Sequence, residues 1–497
     1  MIASPIAGAE PEKGEDVMTE FWQKPATELA AAIRGKTLSS RELVSATLDR
    51  IDRLNGDTNA FALVDAEGAL KAAAAADAAV MRGDSLGGLH GLPVTVKDLV
   101  PTAGMRTALA SYIFADNVPA QDAEAIARIR RAGGIILGKT TTPELGHKVL
   151  TDSPMHGITR NPWALDRTCG GSSGGAAVGV AMGFGPLAVS TDGAGSGRIP
   201  AACCGIVGLK PTVGGVPHET TPDLFGNLTC LGSMARTVED TVLLHNVMAG
   251  PDPRDPWSLG GSAAPLTLAD DPLSVLKGLK IRWMPRTVND YLDPDFEAHT
   301  TKTVEAMVDA GATLVDKPVS LDWSLDTALV LMRAYQAARS GHVLEKWRDR
   351  MDPTMVSALE EGLAQDVGTL QKALPERTAL YRRVQAIFDH ADILVTPTIA
   401  APPPPVTQRA DEPLVIDGKP LGPLRRTWYC YTIPFNPSGN PAMSVPCGFT
   451  KDGLPIGLQI VGPWHAEQRL VAVAAALQAL MPWQHRWPAL AGGEASA

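Results

Sequence analysis

Two serines stand twenty-four residues apart in glycine-rich turns: Ser172 in Thr168-Cys-Gly-Gly-Ser-Ser-Gly-Gly-Ala176, and Ser196 in Thr191-Asp-Gly-Ala-Gly-Ser-Gly-Arg-Ile-Pro200. With an isolated Lys97 upstream, they are the residue types of a Ser-Ser-Lys hydrolase. A serine hydroxyl is a poor nucleophile at neutral pH, so a base must take its proton during attack. Lysine serves as that base only when neutral. Lowering its pKa from about 10.4 to near 7.5 takes about 4 kcal/mol, which burial against apolar strands supplies. Val94 and Val96 flank Lys97 suitably. Taken singly, each feature has a plainer reading: a lysine at a strand end is usually a solvated charge, and Gly-Ser segments are usually loops.

The elements around the two turns differ. Ser172 precedes a run of small residues, Gly174 to Met182, that reads as a helix whose free N–H groups point toward it. Ser196 follows the strand candidate Leu187 to Ser190 through Asp192-Gly-Ala-Gly, residues suited to exposing backbone N–H groups. An oxyanion hole is built from such donors. Gly170-Gly-Ser-Ser-Gly174 also fits the G-x-S-x-G elbow of a Ser-His-Asp hydrolase, but an elbow follows an apolar strand, and Asn161 to Cys169 reads as a turn. A phosphate cradle is poorly supported: neither turn carries G-x-x-x-x-G-K-[ST], nor G-x-G-x-x-G within a βαβ unit. Cys203 and Cys204 beside the second turn read as small buried hydrophobes, not nucleophiles.

Further out, Ser39 and Glu42 form a capping box ahead of a helical stripe of Leu43, Leu48, Ile51 and Leu54, ending at Asn55-Gly56. Leu70 to Val80 is a second, alanine-rich helix. From Leu92, short apolar runs alternate with helical patterns: strands at Pro93 to Lys97, Gly134 to Gly138, Leu187 to Ser190, Ile206 to Leu209, Lys280 to Met284, Ile393 to Thr396 and Pro455 to Val461, with a helix over Ala123 to Ala132. This alternation predicts an α/β layered sheet. Pro251 to Pro272 reads as a surface connection and Ala401-Pro-Pro-Pro-Pro405 as a rigid extended segment. Val275 to Asp389, mostly helical in pattern, is expected to cap the sheet.

Composition narrows the partners. A net charge of -10 without a dense Lys/Arg tract argues against nucleic acid and anionic membrane surfaces, leaving a small-molecule substrate. The opening residues lack a basic-flanked apolar core, and no run of about 18 apolar residues could span a bilayer, so a cytoplasmic protein is expected. The six cysteines form no CxxC pair, so reduced thiols and no metal or cofactor are expected.

The stretch from Cys169 to Thr212 resembles the amidase signature family: Gly170-Gly-Ser-Ser-Gly-Gly175, then Ser196, Arg198-Ile-Pro200 and Cys204-Gly-Ile-Val-Gly-Leu-Lys-Pro-Thr212. The likeness extends to Gly91-Leu-Pro-Val-Thr-Val-Lys-Asp98, Gly138-Lys-Thr-Thr-Thr-Pro-Glu144, Asn440 to Gly448 and Gly453 to Gly462, and is weakest between about 253 and 388. It implies an α/β fold with a large mixed twisted β-sheet surrounded by α-helices. It also implies a single domain over 1–497: a helical region at about 18–80, a catalytic core at about 81–250, a variable, mostly helical cap at about 270–389, and the rest of the core at about 390–497. By the same resemblance, Ser196 is the nucleophile, Ser172 the bridging serine with a cis peptide bond, and Lys97 the base. The N–H groups of Gly193, Ala194, Gly195 and Ser196 would form the oxyanion hole, while Asp192 and Arg198 hold the turn in shape. Gly146, His147, Cys169, Trp428 and Tyr431 are the expected substrate-binding residues; Trp428, Tyr429 and Tyr431 either wall an aromatic leaving-group pocket or pack.

The chain departs from that family's pattern. Ala194 stands where glycine is usual, Gly193 and Gly197 replace residues commonly β-branched, and Cys169 replaces a common proline. These changes bear on substrate choice. Three functional classes follow: a stand-alone hydrolase of small-molecule amides, anilides or carbamates (urethanes); the glutaminase subunit of a tRNA-dependent amidotransferase, which the family also contains; and a non-catalytic binding protein, which an intact Lys97, Ser172 and Ser196 disfavours. A monomer or homodimer is expected.

Overall fold

The apolar runs assemble into one mixed sheet of eleven strands in the computed structural model, which describes residues 21–261, 264–316, 321 and 325–492. The strand order is Phe61–Val64, Ile135–Thr140, Pro93–Lys97, Leu187–Asp192, Cys230–Ala235, Val207–Lys210, Ala442–Phe449, Pro455–Val461, Ile393–Pro397, Lys280–Trp283, Thr313–Leu314. Pro93–Lys97 runs parallel to both of its neighbours, and its register sets Val96 opposite Val189. Strands buried on both faces read as near-continuous apolar runs, which made this part of the sheet legible.

Strand alternation divides the core. Val94, Val96, Leu187 and Val189 pack with Leu29, Ile33, Ile126 and Ile129 on one face. Leu137 and Ala188 belong to the other core, with Ala176, Val178 and Val180 of the Gly174–Ala181 helix and Ile199 of the Arg198–Cys204 helix. Lys97, one step beyond Val96, falls to that second face.

Four strands of this sheet were not predicted. Phe61–Val64 is too short to stand out between two helices, Cys230–Ala235 carries Gly and Ser, and Ala442–Phe449 is interrupted by a register shift between Pro446 and Gly448. Thr313–Leu314, like Lys280–Trp283, comes from the stretch expected to cap the sheet and extends its edge instead. The capping box at Ser39 and Glu42 forms, but its helix continues through Asn55-Gly56 to Thr58 and stops at Asn59, which is left-handed at φ 55°. A glycine inside a helix costs about 1 kcal/mol, which one packed turn offsets. The approach to Ser172 is also not a plain turn: Ala164–Thr168 pairs with Arg160–Asn161 in a separate hairpin. Residues 18–20 of the expected helical region and 262–263 of the expected surface connection lie outside the described residues.

Candidate active site

Lys97 ends its strand, fully buried, at the carboxyl edge of the parallel part of the sheet, where open α/β sheets place their sites. Its Nζ lies 2.7 Å from Ser172 Oγ and 2.8 Å from Thr191 Oγ1. Burial drives its pKa well below the ordinary lysine value, and the charge of Asp192 opposes this only in part. The peptide bond between Gly171 and Ser172 is cis. Ser173, at the N-terminus of the small-residue helix, ties the two turns together: its N–H donates to the Ser196 carbonyl at 3.0 Å, and its hydroxyl donates to the Thr191 carbonyl at 3.0 Å. The small side chains permit this approach. A Cβ on Gly174 would collide with Thr151 and Cys169, and one on Gly175 with the backbone of Ala60 and Thr141.

The Ser196 turn is built around a buried ion pair. Arg198 donates to Asp192 through Nε and Nη2, both at 2.9 Å, and the Asp192 carboxylate also accepts from the N–H groups of Gly195 and Gly197. Burial alone would raise the Asp192 pKa; Arg198 outweighs it and holds the carboxyl far below the usual range. Arg198 reaches further, to Gln459 Oε1 at 2.6 Å and Asn436 Oδ1 at 2.7 Å, and Asn436 donates to the Asp192 carbonyl at 2.7 Å. The turn is thus gripped from the carboxy-terminal strands and loops. Asn436, Gln459, Thr191 and Ser173 were not singled out in the sequence. Thr191 and Ser173 sat inside the two quoted serine motifs and Gln459 inside a strand read for its apolar pattern, while Asn436 carried no signal.

The expected oxyanion set needs one correction. Gly195, at φ 113°, turns its N–H back onto Asp192 Oδ1 at 2.7 Å and has no donor to spare. Among the described residues, the N–H groups of Gly193, Ala194 and Ser196 carry no acceptor. The Ser196 hydroxyl likewise has no hydrogen-bond partner there, Ser172 included, and its oxygen reaches solvent.

The five expected substrate residues divide. Gly146 borders the serines: a Cβ there would stand 3.4 Å from Ser172 Oγ. His147 is committed to structure, its ring bonded to the Glu144 carbonyl at 2.8 Å and to Thr354 Oγ1 at 2.7 Å, and burial lowers its pKa to about 4. Cys169 faces the core, its thiol pushed up to about 12 by burial. Trp428 is fully buried and donates to the Ala401 carbonyl at 2.9 Å. Tyr431 is equally enclosed, donating to the Pro285 carbonyl at 2.7 Å and accepting from Asn289 at 2.8 Å. Cys169, Trp428 and Tyr431 are therefore packing residues, because each polar atom is already used inside the core. Cys203 and Cys204 are buried as expected, their thiols raised far above the ordinary value.

A family model described as Amidase matches residues 42–471, and the chain belongs to that family, the amidase signature enzymes. It is an amide-hydrolysing enzyme. It is 35% identical over 473 residues to an acylamidase of Rhodococcus erythropolis, spanning 93% of this chain and 97% of that one. It is 36% identical over 493 residues to a glutamyl-tRNA(Gln) amidotransferase subunit of Acidothermus cellulolyticus, spanning 93% and 95%. Among solved structures, a bacterial aryl acylamidase of the amidase signature family superposes with a TM-score of 0.86 at 28% identity, over 95% of this chain and 99% of that one. A 6-aminohexanoate cyclic dimer hydrolase superposes at 0.82 and 29%, over 95% and 100%. No described helix is long and apolar enough to cross a membrane.

Proposed function

We propose that the protein is a stand-alone serine amidohydrolase cleaving C–N bonds of small-molecule amides, anilides or carbamates, with Ser196 as nucleophile, Ser172 as proton bridge and Lys97 as base. The observation that carries this reading is the 2.7 Å contact between Ser172 Oγ and a fully buried Lys97 Nζ, a lysine with no ion-pair partner among the described residues. A neutral amine there accepts the Ser172 proton as Ser172 takes that of Ser196. Ser196 Oγ bonds to the substrate carbonyl carbon, and the carbonyl oxygen gains negative charge facing the N–H groups of Gly193, Ala194 and Ser196. Collapse breaks the C–N bond, and the proton held by Lys97 returns through Ser172 to the leaving nitrogen. Water then enters by the same relay and releases the acid. The Ser196 hydroxyl, without a hydrogen-bond partner among the described residues, fits this sequence, since turning toward Ser172 breaks no bond seen there.

The test is a hydrolysis panel of acyl anilides, aryl carbamates, aliphatic amides and glutamine, run beside Ser196→Ala. Turnover and sulfonyl fluoride labelling by the wild type, both absent in the variant, are expected; labelling that persists overturns the assignment. The likeness to an amidotransferase component over 93% of the chain supports a second reading, a glutaminase that works within a larger complex. Glutamine hydrolysis that appears only with a partner chain would establish it.

A further inference from the structure

Of the three neighbouring aromatic residues that the sequence left open between pocket wall and packing, only Tyr429 has a polar side-chain group without a partner among the described residues. Tyr429 is half-buried, its hydroxyl has no hydrogen-bond partner among the described residues, and its oxygen reaches solvent, whereas Trp428 and Tyr431 spend theirs inside the core. Tyr429 is also tied to the nucleophile turn. Thr432 Oγ1 donates to the Ala194 carbonyl at 2.8 Å and to the Tyr429 carbonyl at 3.1 Å, so one hydroxyl bridges the two backbones.

The apolar surroundings agree. Ala194 belongs to a cluster with Leu325 and Ala328 of the Leu325–Ser340 helix and with Ile433, and Met332 of that helix and Tyr429 pack against it while partly exposed. The Ala194 methyl, beside the oxyanion donors, thus belongs to the same apolar cluster that Met332 and Tyr429 pack against. Ala194 is not among the residues of positive φ, so the methyl costs the turn nothing.

We infer that Tyr429 is a substrate-contacting residue that, with Met332 and Ala194, forms a wall for an aromatic group next to the scissile bond, its hydroxyl donating to an acceptor on that group. Aromatic rings pack well on a thioether and on a second ring, and a single phenolic donor orients them. This rests on the amidohydrolase reading above and narrows it to aryl amides bearing a hydrogen-bond acceptor.

The experiment compares 4-nitroacetanilide, acetanilide and acetamide with the wild type, Tyr429→Phe, Met332→Ala and Ser196→Ala. Tyr429→Phe is expected to lower kcat/KM for 4-nitroacetanilide by roughly tenfold, through KM, the loss of about one substrate hydrogen bond. Acetanilide and acetamide should change less than about twofold. Met332→Ala should raise KM for both anilides and spare acetamide. Unchanged ratios among the three substrates in both variants, with melting temperature the only quantity to move, would overturn the inference while Ser196-dependent turnover upheld the parent reading. A wild type inert toward all three would remove the inference, and one inert toward the aryl carbamates and glutamine of the wider panel as well would remove both.

Discussion

At the scale of single residues, Lys97 carries the strongest prediction. It is one of three fully buried lysines among the described residues, with Lys139 and Lys210, and of these Lys97 alone contacts Ser172. Lys139 donates to Thr102 Oγ1 at 2.9 Å, and Lys210 to the Pro211 carbonyl at 3.0 Å. Since burial holds Lys97 well below its ordinary pKa, kcat/KM should rise with pH along a limb set by that lowered value, and Lys97→Met should abolish it. The same shift has a stability consequence of definite sign. Between the lowered folded pKa and 10.5 the unfolded chain binds a proton that the folded one does not, so stability rises with pH there. Melting curves should show the wild type gaining on Lys97→Met between pH 7 and pH 9.5. Ser172→Ala should lower kcat by about 10²- to 10⁴-fold, the usual worth of a positioned proton carrier, with the acylated species still detectable by mass spectrometry.

At the scale of elements, the Asp192–Arg198 pair decides whether the nucleophile turn keeps its shape. Arg198→Met would leave the Asp192 carboxylate buried without its counter-charge, a loss of about 3–5 kcal/mol in denaturant unfolding. The Gly174–Ala181 helix is the second fixed part, since the absence of side chains at Gly174 and Gly175 lets it approach closely and brings Ser173 onto Ser196 and Thr191. Gly175→Ala should destabilise by about 1–3 kcal/mol because the methyl would meet backbone atoms of Ala60 and Thr141 that cannot rotate away. The motifs around both turns were readable in the sequence, because glycine at close approaches and apolar runs in buried parallel strands are local signatures. The grip of Asn436 and Gln459 was not, since these polar residues lie about 240 and 260 positions from the turn they hold.

At the scale of the whole molecule, a charged network joins the helical segment after residue 325 to the loop bordering the serines. Lys148 Nζ lies 2.6 Å from both Asp152 and Asp352, and the Asp352 N–H donates to Glu144 at 2.6 Å. Burial would raise the Asp352 pKa, but His147 and Lys148 outweigh it and hold it at about 2. Asp352→Ala should therefore loosen the Pro353–Leu363 helix and the Gly146 loop together, read as faster amide exchange in both and a raised KM. His147, held neutral at about 4, should contribute no titration to the rate between pH 5 and pH 8.

The sequence by itself determined the α/β fold, the two serine turns and Lys97. Their signals are local: spacing, glycine content and burial of adjacent residues, reinforced by a family resemblance along most of the chain. Tertiary structure decided what those residues touch. It committed the N–H of Gly195 to Asp192, closed Trp428 and Tyr431 into the core, and left the hydroxyls of Tyr429 and Ser196 without a partner among the described residues. A hydrogen bond is shared between groups that folding brings together from distant parts of the chain, so no single residue type announces whether its donor is already spent.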